Sequence, residues 1–181
     1  MSWHPATNVL FATTVDSELW MWKIPSGDSK IYMGSGEKAE CMKLMPDGKR
    51  ILVGYSDGSM RLFDLKSGDV VHSLTGNNAH TSAVTSLDAR ADNVLVASGG
   101  VDAVAKLFNT QSGKNIGAFD CGKSGGSGGS SSMAEEDPDE AVESGNACES
   151  VLFAKPEMNY LLTGTLSGRI TVRMFTTKIV K

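Results

Sequence analysis

The chain repeats itself on a frame of about forty residues. The stretches DSELWMW from Asp16, DGSMRLF from Asp57 and DAVAKLF from Asp102 each place an aromatic residue six positions after the aspartate, at Trp22, Phe63 and Phe108. Five residues further on comes a Ser-Gly turn, at Gly27, Gly68 and Gly113. Eleven before each aspartate stands a turn position, Pro5, Pro46 or Ala91, and an apolar run separates the two: VLFAT, ILVGY and VLVAS. A fourth copy fits the frame. Pro156 lies eleven before Ser167, YLLTG stands between them and SGRITV follows, with Ser167 in place of the aspartate and Arg173 in place of the aromatic. The copies are offset by 41, 45 and 65 residues, the last lengthened by an inserted Gly/Ser-rich and acidic segment. One such unit is too small to bury its own apolar faces, so neighbouring units must stack.

A period of 40–45 residues with short strands between Pro-Asp-Gly and Ser-Gly turns is the pattern of a WD-repeat β-propeller. Each unit reads as four strands, a to d. In the third these are AVTSLDA, VLVASG, AKLFN and NIGAF, rich in residues that suit a pleated, half-buried surface. The expected fold is all-β: about four blades of a longer, seven-bladed ring. The division is an incomplete blade at 1–38, blades at 39–78 and 79–121, an insert at 122–147 and a degenerate blade at 148–181. The first blade is expected to lack a full strand a, because the chain leaves no room for one before Trp3. An array that does not close exposes apolar faces and unpaired edges, so self-association through the open ends is expected.

The string GAFDCGKS, Gly117 to Ser124, matches the pattern of a phosphate-binding loop. That chemistry requires a strand, a glycine loop and a helix that starts at the lysine, so that backbone N–H groups cradle the phosphates. Here GGSGGSSS follows the lysine, a poor helix former, and Gly117 lies inside a strand-like run. The match is read as the end of strand d, and a nucleotide-binding enzyme using Lys123 is the alternative function. No nucleophilic triad, paired-carboxylate site, cofactor motif or metal-ligand spacing is recognisable; His4 and His72 have none. In WD-repeat proteins a His, a strand-b Ser or Thr and the turn Asp form a hydrogen-bonded network. His80, Ser98 and Asp102 match those roles, and Asp16 and Asp57 match the turn Asp, all as structural residues.

The net charge of −4 gives no sign of direct nucleic-acid binding, and it is uneven. The insert carries Glu135, Glu136, Asp137, Asp139, Glu140 and Glu143 against Lys123 alone, so the rest of the chain is close to neutral. The three cysteines, Cys41, Cys121 and Cys148, are odd in number and widely spaced, which reads as reduced thiols in an intracellular protein. With neither signal peptide nor transmembrane run in sight, the expected location is cytoplasmic, with a nuclear or membrane-associated pool allowed.

Several stretches are more specific. WHPATNVLFATTVDSELWMWKIPSGD, LMPDGKRILVGYSDGSMRLFDLKSG and ESVLFAKPEMNYLLTGTLSGRITV resemble the angio-associated migratory cell protein family, as does the acidic insert. The resemblance implies a non-catalytic protein-binding scaffold without a cofactor. It implies a part in cell migration, or, through similarity to a fungal WD-repeat chaperone, escort of a basic ribosomal protein during ribosome assembly. The insert joins strand d of unit three to strand a of unit four, so in an up-and-down blade it is expected on the face that carries the b–c turns and d–a loops, a common docking surface in the family. There its carboxylates form a candidate arm for a basic partner, with Ser132 a candidate phosphorylation site. A partial chain with no independent function is the remaining alternative.

Overall fold

A computed structural model describes residues 1–4, 6–24, 26–32, 36–121, 146–154 and 160–175. Pro5, Pro156, Ser132 and the six carboxylates of the insert lie outside them. The described residues form fifteen strands and one 3-10 turn at Gly76–Asn78. Unit one holds β1 (Ser2–His4), β2 (Val9–Thr13), β3 (Leu19–Lys23) and β4 (Ser29–Tyr32). Unit two holds β5 (Ala39–Leu44), β6 (Arg50–Tyr55), β7 (Met60–Asp64) and β8 (Val70–Leu74). Unit three holds β9 (Val84–Ala89), β10 (Leu95–Gly100), β11 (Val104–Asn109) and β12 (Lys114–Asp120). Unit four holds β13 (Cys148–Phe153), β14 (Tyr160–Thr165) and β15 (Ile170–Met174). Every strand pairs antiparallel with its sequence neighbour, giving three four-stranded sheets and one of three strands.

The first strand of unit one is present but short. Ser2, Trp3 and His4 pair with Phe11, Leu10 and Val9, so unit one has its strand a, at three residues against six in β5, β9 and β13. Three residues carry too little alternation to announce a strand, but one ladder against β2 suffices to form it.

The sheets stack as blades of a partial propeller, with strands a innermost: β1 packs on β5, β5 on β9 and β9 on β13. Side chains alternate between the two faces of each sheet, and one rule governs all three interfaces. Positions −5, +3 and +5 from the turn aspartate form the front of a unit; positions −6, −4 and +6 form the back of the next. Phe11, Leu19 and Met21 therefore meet Ile51, Val53 and Phe63. Leu52, Met60 and Leu62 meet Val96 and Phe108. Ala97, Ala105 and Leu107 meet Leu161. The rule leaves two faces over. On the back of unit one, Trp3 and Ile31 are both 46% exposed. On the front of unit four, Ile170 is 75% and Val172 62% exposed, with Leu152 and Met174 beside them.

Polar bonds add to this packing. Asp88 of β9 is 5% exposed and bridges three units. Its Oδ1 lies 2.7 Å from Lys43 Nζ on β5, and its Oδ2 accepts the Phe153 N–H on β13 at 2.8 Å. Ser86 Oγ accepts the Val151 N–H at 3.1 Å, and Cys41 Sγ donates to the Val84 carbonyl at 3.3 Å.

Candidate functional site

The up-and-down order of each sheet puts the b–c turns and d–a loops on one side of the array, and the a–b and c–d turns on the other. The first side is built on a repeated turn. The residue after the frame aspartate has positive φ in all four units: Ser17 (68°), Gly58 (83°), Ala103 (59°) and Gly168 (81°). Such a turn presents the N–H two residues after the frame position, which needs an acceptor. Asp57 Oδ1 accepts from Ser59 N–H at 2.9 Å and from the Ser59 hydroxyl at 2.6 Å. Asp102 Oδ1 accepts from Val104 N–H at 3.2 Å.

Asp16 does not share this role. It is exposed, and the Glu18 N–H goes to Thr14 Oγ1 at 3.3 Å. Unit four does the same, with Arg169 N–H on Thr165 Oγ1 at 3.2 Å. Thr14 and Thr165 occupy the same frame position, two before the aspartate. A threonine there reaches the N–H from the strand-b side and leaves Asp16 free to face solvent. A comparison of unit one with unit four, rather than with units two and three, would have revealed it.

The structure brings His80, Ser98 and Asp102 together. His80 Nδ1 lies 2.9 and 3.0 Å from the two Asp102 oxygens, and Nε2 lies 2.6 Å from Ser98 Oγ. A hydrogen on Nδ1 is donated to Asp102, and Nε2 shares the second hydrogen bond with the Ser98 hydroxyl. Asp102 Oδ2 also accepts Thr81 N–H at 3.0 Å. Burial pushes the Asp102 carboxyl up, but the His80 hydrogen bond and charge, with the Thr81 and Val104 N–H groups, outweigh it and hold it below the usual carboxylate range. Ser98 and the His80 side chain are fully buried, so the trio pins the loop between units two and three. His80 N–H also bonds the Gly58 carbonyl at 3.1 Å. Gly58 is required here twice over, since a Cβ would lie 2.2 Å from the His80 carbonyl oxygen and the φ is 83°.

Above this loop lies an open groove of 680 Å³, lined by Asp57, Ser59, Thr75, Asn77, His80 and Lys106 among others. Lys106 Nζ donates to the Ala79 carbonyl at its rim. The two ends of the inserted segment meet the same side. Cys121 N–H bonds the carbonyl of Ala103 in the b–c turn of unit three at 2.8 Å, and Leu166 N–H bonds the Ala147 carbonyl in unit four at 3.0 Å.

The first half of the phosphate-loop string is strand, and its Gly122, Lys123 and Ser124 lie outside the described residues. Gly117, Ala118, Phe119 and Asp120 are strand residues of β12, paired with Leu107, Lys106, Ala105 and Val104. Among the described residues no group of three or more His, Cys, Asp or Glu side chains is placed to hold a metal ion, and no helix is long and apolar enough to cross a membrane.

Antiparallel blades stacked on a common frame, with the His–Ser–Asp trio at a d–a loop, define a WD40-repeat protein, and sequence comparison agrees. The WD40 domain of anaphase-promoting complex subunit 4 matches residues 1–81, and the WD domain, G-beta repeat, matches residues 68–109. The chain is similar to the angio-associated migratory cell protein of Homo sapiens, 44% identical over 119 residues, and to that of Canis lupus familiaris, 43% identical over the same length. Each match covers 66% of this chain and 27% of the relative, so the chain spans about a quarter of the length of these curated relatives. Similarity to the U3 small nucleolar RNA-associated protein 12 of Saccharomyces cerevisiae is weaker: 28% over 102 residues, 56% of this chain and 10% of that one. The fold also matches the crystal structure of the computationally designed Ika4 protein. The TM-score is 0.70 at 18% identity, over 94% of this chain and 88% of that one.

Proposed function

We propose that this chain is a non-catalytic scaffold that receives basic protein partners on the side carrying the b–c turns and d–a loops. WD40 repeats serve generally as protein-interaction scaffolds. The observation that carries the reading is the position of the insert's two anchors. Cys121 and Ala147 hydrogen-bond to the b–c turns of units three and four, on the side that holds the groove. In sequence, six carboxylates against one lysine lie between these two anchors. A tethered anionic arm raises the local concentration of a cationic partner and speeds encounter more than it deepens final affinity. Two settings fit this reading: an adaptor in cell migration, in line with the name of the angio-associated migratory cell protein, and escort of a basic ribosomal protein during ribosome assembly, which rests on the family resemblance alone.

The open faces add a second element, self-association. The back of unit one and the front of unit four occupy the positions that mate at every internal interface, so two copies pack head to tail by the same rule.

The test is the association rate of the chain with a basic ribosomal protein, measured against salt. Replacement of Glu135, Glu136, Asp137, Asp139, Glu140 and Glu143 by Ser or Asn is expected to lower the rate about tenfold or more at low ionic strength and to flatten its salt dependence. An unchanged rate and slope would make the segment a loop and nothing more.

A further inference from the structure

The turns on the side opposite the groove follow a second rule, and unit one breaks it. Ten residues before the frame aspartate, units two and three carry Asp47 and Asp92; seven after it they carry Asp64 and Asn109. Each of the four caps its own turn. Asp47 Oδ1 accepts Lys49 N–H at 2.8 Å, and Asp92 Oδ1 accepts Val94 N–H at 3.0 Å. Asp64 Oδ1 accepts the Lys66 and Ser67 N–H groups at 2.8 and 3.0 Å, and Asn109 Oδ1 accepts those of Gln111 and Ser112 at 2.9 and 3.0 Å. Unit one has Ala6 and Lys23 at these two positions. It gives up two acceptors and gains a cation where short polar acceptors suit the turn best.

Lys23 borders a cleft of 530 Å³ between units one and two. Of its apolar lining, Val9 and Phe11 are buried, and Met21 and Leu65 keep partial exposure. His4 forms one wall, with Nε2 3.2 Å from the Gly48 carbonyl oxygen. A Cβ on Gly48 would lie 2.4 Å from that nitrogen, so glycine is what admits the ring. Three lysines reach the cleft from three elements: Lys23 at the end of β3, Lys49 on the a–b turn of unit two and Lys66 on its c–d turn. All three are exposed, and among the described residues none lies in an ion pair. Against them the described lining carries one carboxylate, Asp64, whose Oδ1 is taken up by turn N–H groups. The next junction is closed at the same place. Leu52, Leu62, Asn109 and Thr110 occupy the frame positions of Phe11, Met21, Asp64 and Leu65, and with His72 and Leu74 among them only 10 Å³ remains.

We propose that this cleft binds an acidic peptide segment of a partner protein, one that sets carboxylates on both sides of an apolar side chain. The apolar side chain rests on Met21 and Leu65, and the carboxylates meet Lys23, Lys49 and Lys66. Amines on three separate elements around an apolar floor suit an extended ligand, whereas a compact anion leaves the floor uncovered. Long lysine stems let the ammonium groups follow the ligand while the stems cover apolar surface. Charge complementarity of this kind selects partners and speeds their encounter. The cleft lies on the opposite side from the groove and takes partners of opposite sign, so the proposal is independent of the reading above.

The experiment measures fluorescence anisotropy of a labelled peptide, Gly-Asp-Glu-Leu-Asp-Glu-Gly, with the intact chain at low and high salt. A control peptide carries Asn and Gln in place of Asp and Glu. The acidic peptide is expected to bind at low salt, and the control about tenfold more weakly or worse. Lys23→Asn gives unit one the turn-capping residue of unit three, so the fold is retained. It is expected to weaken binding about fivefold or more and to lessen the salt dependence; Lys66→Ser is expected to do the same. Lys114→Ser removes an equal charge from the exposed start of β12, outside the cleft, and is expected to change affinity less than about twofold. Absence of binding, equal binding of the control peptide, or equal losses in Lys23→Asn and Lys114→Ser would each overturn the proposal, the last by showing attraction to net charge alone. The unsubstituted chain decides the first two.

Discussion

His80 and Asp102 are 22 residues apart in sequence and 2.9 Å apart in space, and their contact fastens the loop between units two and three to the b–c turn of unit three. Asp102→Ala removes the acceptor for the His80 ring and for the Thr81 and Val104 N–H groups, and is expected to cost about 2–4 kcal/mol, since the His80 ring, left buried and unpaired, bears the full desolvation penalty. Asp57→Ala strands only the Ser59 groups and is expected to cost about 1–2 kcal/mol. Asp16→Ala is expected to leave the melting temperature unchanged, whereas Thr14→Val lowers it. Calorimetry of the four variants checks the order; an Asp16 effect equal to that of Asp102 would contradict the division of turn acceptors between threonine and aspartate.

The Asp102 carboxyl lies below its ordinary value in the folded chain. Its contribution to stability is therefore fully present above the unfolded carboxylate pKa, about 3.9, and is lost as pH falls through the lower folded value. Asp64, capped by the Ser67 and Lys66 N–H groups, and Asp92, where hydrogen bonds and the charge of Arg90 outweigh burial, shift in the same direction. Chemical denaturation between pH 5 and pH 2 is expected to show a steep loss in the parent and a shallower one in Asp102→Asn. Parallel curves would remove Asp102 from the acid response.

Asp88 couples three units through two bonds of different kinds. Lys43 keeps much of its side chain in water, so Lys43→Met is expected to cost no more than about 1 kcal/mol. Asp88→Ala strands the buried Phe153 N–H and is expected to cost about 2–3 kcal/mol. Urea titration distinguishes them; equal losses would mean that the ion pair carries the junction.

The uncovered faces make a concentration-dependent prediction. Sedimentation velocity is expected to show species larger than a monomer. Ile170→Asp with Val172→Asp is expected to return the chain to a monomer with an unchanged circular dichroism spectrum, because both side chains already face solvent. A parent that stays monomeric at every concentration would show that four units close their own surfaces.

The strands of unit three were legible almost residue by residue. Turn chemistry brackets each run, and period-2 apolar residues fill it. The trio of His80, Ser98 and Asp102 could be named because its spacing lies within one unit. What eluded sequence reading depends on contacts between units or on backbone shape. Asp88 looks like one more strand carboxylate until β5 and β13 are placed on either side of it. Lys23 looks like one more surface lysine until units one and two are stacked around a cleft. The positive φ of Ser17 and Ala103 is hidden because neither is glycine, the usual sign of such a turn.

The central claim, that partners dock on the side carrying the b–c turns and d–a loops, is tested most directly by amide hydrogen exchange of the chain with and without a basic ribosomal protein. The account predicts slowed exchange at Gly58–Ser59, Thr75–Thr81 and Ala103, with none at the a–b turns around Gly48 and Asn93. Protection at Gly48 and Asn93, with Thr75–Thr81 unchanged, would place the partner on the opposite side and contradict it.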